Sequence, residues 1–145
     1  MTGGRIALIV TVALVAGGST VYAMARQTSI RHAGEAIARA NEYFDSGALF
    51  FEPRYADAEK AVSEANSILF RDPQAAALLR MCLSDVKLSR QYLDISTRAE
   101  DLLNRQVKDG DAPQTIAESR VYLKNMQDKL TEFVTSAHNC APAIP

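Results

Sequence analysis

Apolar side chains recur at alternating intervals of three and four residues along most of the chain after position 28. This is the spacing of α-helices that bury one face. The first such stretch places apolar or small residues at Ile30, Ala33, Ile37, Ala40, Phe44, Gly47 and Phe51, and the last at Ile116, Ser119, Leu123, Met126, Leu130, Phe133 and Ala137. Because this spacing suits helices that lie nearly antiparallel, the pattern predicts an all-α fold, an antiparallel bundle of about four helices.

Proline, glycine and aspartate mark the ends of the predicted helices. Glu52-Pro53 predicts the end of the first helix and the start of the second. Asp72-Pro73 places a capping residue before a proline at the first position of a helix. Residues 108–113 contain a glycine that stops the third helix, an aspartate that caps the fourth and a proline that begins it. The predicted helices are therefore about 28–51, 54–70, 73–107 and 113–138.

Ahead of the bundle, residues 6–25 carry no charged side chain. This matches the ~20 residues that a helix needs to cross the hydrocarbon layer of a bilayer. The same segment fits a secretory signal peptide, because it ends in Ala23-Met24-Ala25, a small-x-small cleavage motif. The sequence thus divides into a transmembrane anchor or signal peptide over residues 1–27 and a helical bundle over 28–145. An uncleaved segment can continue into the first helix of the bundle, since no proline or glycine lies between Ala23 and Ala33.

Two small residues in this segment, Ala13 and Gly17, are four positions apart, as in closely packed helices within membranes. They predict a contact with a partner helix if the segment is an anchor, and are ordinary small residues if it is a signal peptide. Basic residues are more frequent after the segment than before it, which favours a cytoplasmic bundle under the positive-inside rule.

The two cysteines point the other way. Cys82 and Cys140 lie at similar distances on either side of the predicted turn at Gly110, so an antiparallel hairpin brings them together. They predict a disulfide, which persists in oxidising compartments. We therefore expect a single-pass protein of the cell inner membrane with its bundle on the periplasmic side. Alternatively, His138 joins the two sulfur atoms of Cys82 and Cys140 in a metal site, an arrangement that a disulfide excludes.

Charge and motifs exclude several functional classes. The chain has 16 basic and 17 acidic residues and no basic patch, so we expect no nucleic-acid partner. No phosphate-binding glycine loop, haem-attachment motif or Glu-x-x-His pair occurs. We therefore expect no cofactor and no catalytic role.

Two groups of apolar residues suggest contacts with partner proteins. Phe50 and Phe51 follow Leu49, and a helix cannot bury three consecutive side chains on one face, so this corner is either core or an exposed docking patch. The third helix has two apolar faces, one of them carrying Leu88, Tyr92, Ile95, Ala99 and Leu102, and so touches more than one neighbour.

Together these patterns predict a non-enzymatic, membrane-anchored accessory or scaffolding subunit of a larger membrane protein complex. Its partners are other subunits, through Ala13, Gly17, Phe50 and Phe51, and the lipid bilayer, through residues 6–25. The alternative is a cleaved, soluble exported helical bundle that binds a small ligand, a metal or a protein.

Overall fold

A computed structural model describes the chain from Gly3 to Cys140, with side chains described from Gly18 onward. Four helices make up almost all of this part: α1 (Gly3–Glu42), α2 (Ala48–Ile68), α3 (Pro73–Asp109) and α4 (Pro113–His138). A short 3₁₀ helix, Leu69–Arg71, follows α2 directly. The predicted helical bundle is confirmed.

α1 runs without a break through the potential cleavage site between Ala25 and Arg26 and on into the bundle. Within the residues whose side chains are described, no helix contains a stretch long and apolar enough to cross a membrane. Most of the predicted spanning segment, including Ala13 and Gly17, lies outside those residues.

The corner between α1 and α2 differs from the prediction, and the boundary expected at Glu52–Pro53 is wrong. α1 already ends at Glu42, and Pro53 lies inside α2. Gly47 is the N-cap of α2, and its carbonyl oxygen accepts the backbone N–H groups of Phe50 and Phe51. Pro53 is tolerated because it falls near the helix start, where it frees only the carbonyl of the solvent-exposed Leu49.

Arg90 of α3 explains why the chain turns where it does. Its Nη1 donates to the carbonyl oxygens of Phe44, at 2.9 Å, and of Ser46, at 2.5 Å. Its guanidinium carbon also lies 5.7 Å from the centroid of the Phe51 ring. A single side chain from a distant helix therefore satisfies two turn carbonyls that have no helical partner.

The ends of α3 and α4 follow local sequence closely. The Oδ1 of Asp72 accepts the Ala75 backbone N–H at 3.0 Å, and Pro73 occupies the first turn. Gly110 ends α3 in the left-handed region, with φ of 75°. The expected cap at Asp111 is wrong, because Ala112 precedes α4 without a side-chain hydrogen bond. α4 has the same bounds that the sequence predicts.

The hydrophobic core lies between α1, α2 and the first half of α3. Alanines on the facing sides of α1 and α2 allow these two helices to approach closely. Its largest fully buried side chains are Ile37, Leu69, Leu79, Val86 and Ser89. Ala137 is the only residue of α4 that is fully buried. The end of α4 is fastened to α1 by Asn41, whose Nδ2 donates to the Val134 carbonyl oxygen at 3.0 Å.

α3 and α4 form a hairpin that projects beyond the other helices. Arg90 lies at the level of the α1–α2 corner, and α3 continues from there to Asp109, a further ~28 Å at about 1.5 Å per residue. Along this projection α4 contacts α3, for example where the rings of Tyr92 and Phe133 lie 5.3 Å apart. The apolar stripe of α4 stays only half-buried there, so the hairpin presents a partly uncovered seam.

Candidate functional site

The two cysteines form a disulfide, as the hairpin geometry predicts. The Cα atoms of Cys82 and Cys140 are 5.8 Å apart and their sulfur atoms are bonded. Both residues are buried, and Ser136 beside them donates its hydroxyl to Asp85 Oδ2 at 2.5 Å. The bridge links the residues that follow α4 to the first half of α3.

This bond bears directly on the alternative metal site. Both sulfur atoms are used in the disulfide, so neither can act as a thiolate ligand beside His138. His138 itself is exposed at the end of α4. Across the described residues, no group of three or more histidine, cysteine or acidic side chains is arranged to hold a metal ion.

The aromatic corner is split between core and surface. Phe51 is only 3% exposed, and its ring stacks on Tyr55 at 5.6 Å. Phe50 and Leu49 are 61% and 81% exposed. Phe51 therefore belongs to the core and offers no surface to a partner, which leaves Phe50 as the exposed aromatic residue of the predicted contact.

Tyr55 lies at the edge of this corner, facing α3. Burial raises the pKa of its hydroxyl above the ordinary value, and the nearby carboxylates of Glu59 and Glu52 raise it further. The phenol therefore stays neutral at physiological pH. Its ring packs on that of Phe51 at the edge of the core.

One side of the projecting hairpin carries a shallow groove, here called the hairpin groove. It has a volume of about 270 Å³ and is lined by Ala99, Leu102, Thr115, Glu118, Ser119 and Tyr122. Leu102 and Tyr122 are each 52% exposed. The two apolar faces of α3 indicated such a surface, but the sequence alone did not show that α4 leaves it open.

At the opposite end of the bundle, residues from α1 and from the α2–α3 connection form what we call the basal cluster: Tyr22, Arg26, Phe70, Arg71 and Asp72. The Arg26 side chain binds Asp72 Oδ2 through Nε at 2.7 Å and through Nη2 at 2.5 Å. The hydrogen bonds from the Ala75 backbone N–H and from Arg26 hold the pKa of Asp72 below its ordinary value.

Aromatic contacts complete the basal cluster. The rings of Tyr22 and Phe70 meet edge to face, with centroids 6.1 Å apart. The guanidinium carbon of Arg71 lies 5.6 Å from the Tyr22 centroid and 5.1 Å from that of Phe70. Sequence reasoning missed this cluster, because no periodic pattern links residues 22–26 with residues 70–72.

A second cleft, of about 300 Å³, lies between α1 and α2. Charged side chains of both signs line it, together with one of the two histidines: His32, Arg39, Asp57, Lys60 and Glu64. It is open to solvent and balanced in charge. Such a lining gives no preference for a charged ligand of either sign.

Comparisons of the chain with known protein families, with curated proteins and with solved structures found no match.

Proposed function

We propose that the protein is a non-enzymatic accessory or scaffolding subunit of a larger membrane complex, anchored through residues 6–25. The observation that carries this proposal is the continuity of α1 across the junction at Ala25. A helix that passes unbroken from an uncharged segment into a folded bundle couples the position of the bundle to that segment.

Side-chain contacts on both sides of the junction support an uncleaved segment. Tyr22, three residues before the potential cleavage site, packs against Phe70 and Arg71. Arg26, directly after the site, binds Asp72. Cleavage after Ala25 would remove the first of these contacts and leave Phe70, already 69% exposed, with less cover. The bundle is thus more complete with the segment attached.

The disulfide supports an extracytoplasmic bundle. Cys82 and Cys140 are paired in the folded chain, and bonds of this kind are kept in oxidising compartments such as the bacterial periplasm. Together with an anchor over residues 6–25, this supports a single-pass protein of the inner membrane with its C-terminal bundle outside the cytoplasm.

The outward apolar surfaces supply contacts for other subunits. Phe50 and the hairpin groove lie on different parts of the bundle, and the groove is far from the anchored end. Within the bilayer, the spacing of Ala13 and Gly17 suits a second helix. A subunit with several separate contact surfaces and no catalytic motif is suited to holding partners together.

The decisive experiment determines the N-terminus of the mature protein and its attachment to the membrane. We expect mass spectrometry of the protein from native membranes to find residues 6–25 retained, and the protein to stay in the membrane pellet after an alkaline carbonate wash. A mature chain that starts at Arg26 and appears in the soluble fraction would overturn the anchor and favour the soluble exported bundle.

A further inference from the structure

The basal cluster lies at the C-terminal end of the uncharged segment, because Tyr22 belongs to both. If residues 6–25 cross the hydrocarbon layer, which takes about 20 residues at ~1.5 Å each, then Tyr22 lies within one helical turn of the membrane surface. Its ring contacts Phe70. Phe70 must therefore lie at nearly the same depth, although it belongs to a different part of the chain.

The 3₁₀ helix holds Phe70 facing outward. Leu69 is 1% exposed and points into the core, and the Asp72 backbone N–H donates to the Leu69 carbonyl oxygen at 2.9 Å. With Leu69 and Asp72 fixed, the Phe70 side chain turns away from the bundle and is 69% exposed. Val21 and Met24 on α1 are exposed to a similar degree, 68% and 65%, so this end of the bundle is apolar on its surface.

The chemistry of the cluster matches the lipid headgroup layer. Aromatic rings concentrate at this depth of a bilayer, and arginine reaches from apolar surroundings toward lipid phosphates. Arg71 lies over both rings, so its charge is held beside the apolar surface. The carboxylate of Asp72, which would repel phosphate, is bound by Arg26.

We infer that the base of the bundle sits directly on the membrane, with Phe70 and Arg71 embedded in the headgroup layer of an anionic phospholipid bilayer. This inference depends on the proposed anchor, since the depth of Phe70 is set by its contact with Tyr22. It adds that the bundle itself binds lipid. With its base on the membrane, the bundle has the α3–α4 hairpin pointing away from the bilayer.

The chain has no tryptophan, so a single introduced tryptophan reports on its own surroundings. Phe70→Trp replaces an exposed ring by another and should leave the fold intact. The full-length variant is reconstituted into vesicles of phosphatidylcholine and phosphatidylglycerol in which some acyl chains carry bromine near the headgroup. We expect the Phe70→Trp emission to shift to shorter wavelength and to lose most of its intensity to the bromine.

Three matched variants make the result interpretable. Arg71→Trp, also on the exposed base and outside the anchor, should behave like Phe70→Trp and covers the case in which Phe70→Trp fails to fold. Tyr122→Trp, at the far hairpin, should be unaffected by brominated lipid. Ile9→Trp, within one helical turn of the other end of the uncharged segment, should also be quenched by the brominated lipid, which reports on the anchor alone.

The outcomes separate the two proposals. Quenching of Ile9→Trp without quenching at positions 70 and 71 would overturn the lipid-bound base and leave the anchor standing. Loss of quenching at position 9 would overturn the anchor itself. Equal quenching at positions 70 and 122 would also overturn the inference, because lipid contact would then not be specific to the base.

Discussion

At the scale of single residues, Arg90 determines where the first two helices separate. The carbonyl oxygens of Phe44 and Ser46 both accept from its Nη1, and the planar guanidinium also covers the Phe51 ring. Lysine cannot reproduce this, because an ammonium is a compact donor without a flat face. One side chain thus connects the α1–α2 corner to the hairpin.

We expect Arg90→Met to lower the free energy of unfolding by about 2 kcal/mol, because two hydrogen bonds from a charged donor are lost while the aliphatic part of the side chain is kept. Arg90→Lys should recover only part of this loss. The measurement is urea unfolding of the full chain in detergent, followed by circular dichroism.

Arg98→Met is the matched control. Arg98 also lies on α3, but it is exposed and pairs with Asp94 of the same helix at 2.7 Å. Such a pair contributes at most about 0.5 kcal/mol. Equal losses for the two variants would show that Arg90 has no special role at the corner.

A second residue-scale prediction concerns pH. The pKa of Asp72 is lowered in the folded state by its hydrogen bonds to the Ala75 backbone N–H and to Arg26. The stability that its charge provides is therefore fully present above the pKa of the unfolded chain and is lost as pH falls through the lower, folded-state pKa. Asp72→Asn keeps a good capping side chain but removes the charge.

We expect the wild-type protein to have a higher thermal midpoint than Asp72→Asn at neutral pH. This difference should hold down to about pH 4 and disappear in stronger acid. The test is a series of thermal scans of both proteins from neutral to acidic pH. A difference that stays constant through the acidic range would contradict a role for the Arg26–Asp72 ion pair.

At the scale of elements, helix ends were predictable where one short segment determines them. Asp72 and Pro73 begin α3, and Gly110 and Pro113 separate α3 from α4, because capping and proline geometry act over a few residues. The α1–α2 corner was not predictable in this way. Its position depends on Arg90, which lies 46 residues from Phe44 in the chain, and no local rule weighs that contact against a nearby proline.

The disulfide was predictable because a hairpin relates positions by their distance from the turn. We expect its removal in the Cys82→Ser/Cys140→Ser double variant to lower the free energy of unfolding by up to about 4 kcal/mol, the estimate for a closed loop of this length. The loss should appear first near Ala137, at the end of α4. Hydrogen exchange with mass spectrometry measures where protection is lost.

The control is chemical reduction. A reductant should destabilise the wild-type protein to a similar extent and leave the double variant unchanged. If reduction had no effect on the wild-type protein from native membranes, the bond would be absent there, and the argument for an extracytoplasmic bundle would fail.

At the scale of the whole molecule, the sequence predicted which helices form but not how far they overlap. Periodicity shows that a helix has an apolar face, and it does not show whether a neighbour covers that face along its full length. α3 extends well past the α1–α2 corner, so half of the hairpin has only two helices and an open seam. The exposed Leu102 and the exposed Tyr122 are consequences of this overlap.

This geometry leads to a prediction about assembly. If the hairpin groove contacts another subunit, replacing Leu102 and Tyr122 by glutamine should weaken that contact by about 2 kcal/mol or more, roughly thirtyfold in Kd, as is typical of a central apolar anchor. Both side chains are half exposed, so the fold and the disulfide should remain. Native gels of gently solubilised membranes should then show the protein moving from a large complex to a smaller species.

Val121→Gln is the matched control for this experiment, because Val121 is 62% exposed and adjacent to Tyr122 but does not line the groove. It should leave the complex intact. If the wild-type protein itself runs as a lone subunit, the scaffolding role is contradicted. If Val121→Gln disrupts the complex as strongly as the groove variant, the complex depends on general surface polarity and not on the groove. Val121 is a fair control because successive residues of an α-helix lie about 100° apart around its axis, so the side chains of Val121 and Tyr122 point in different directions.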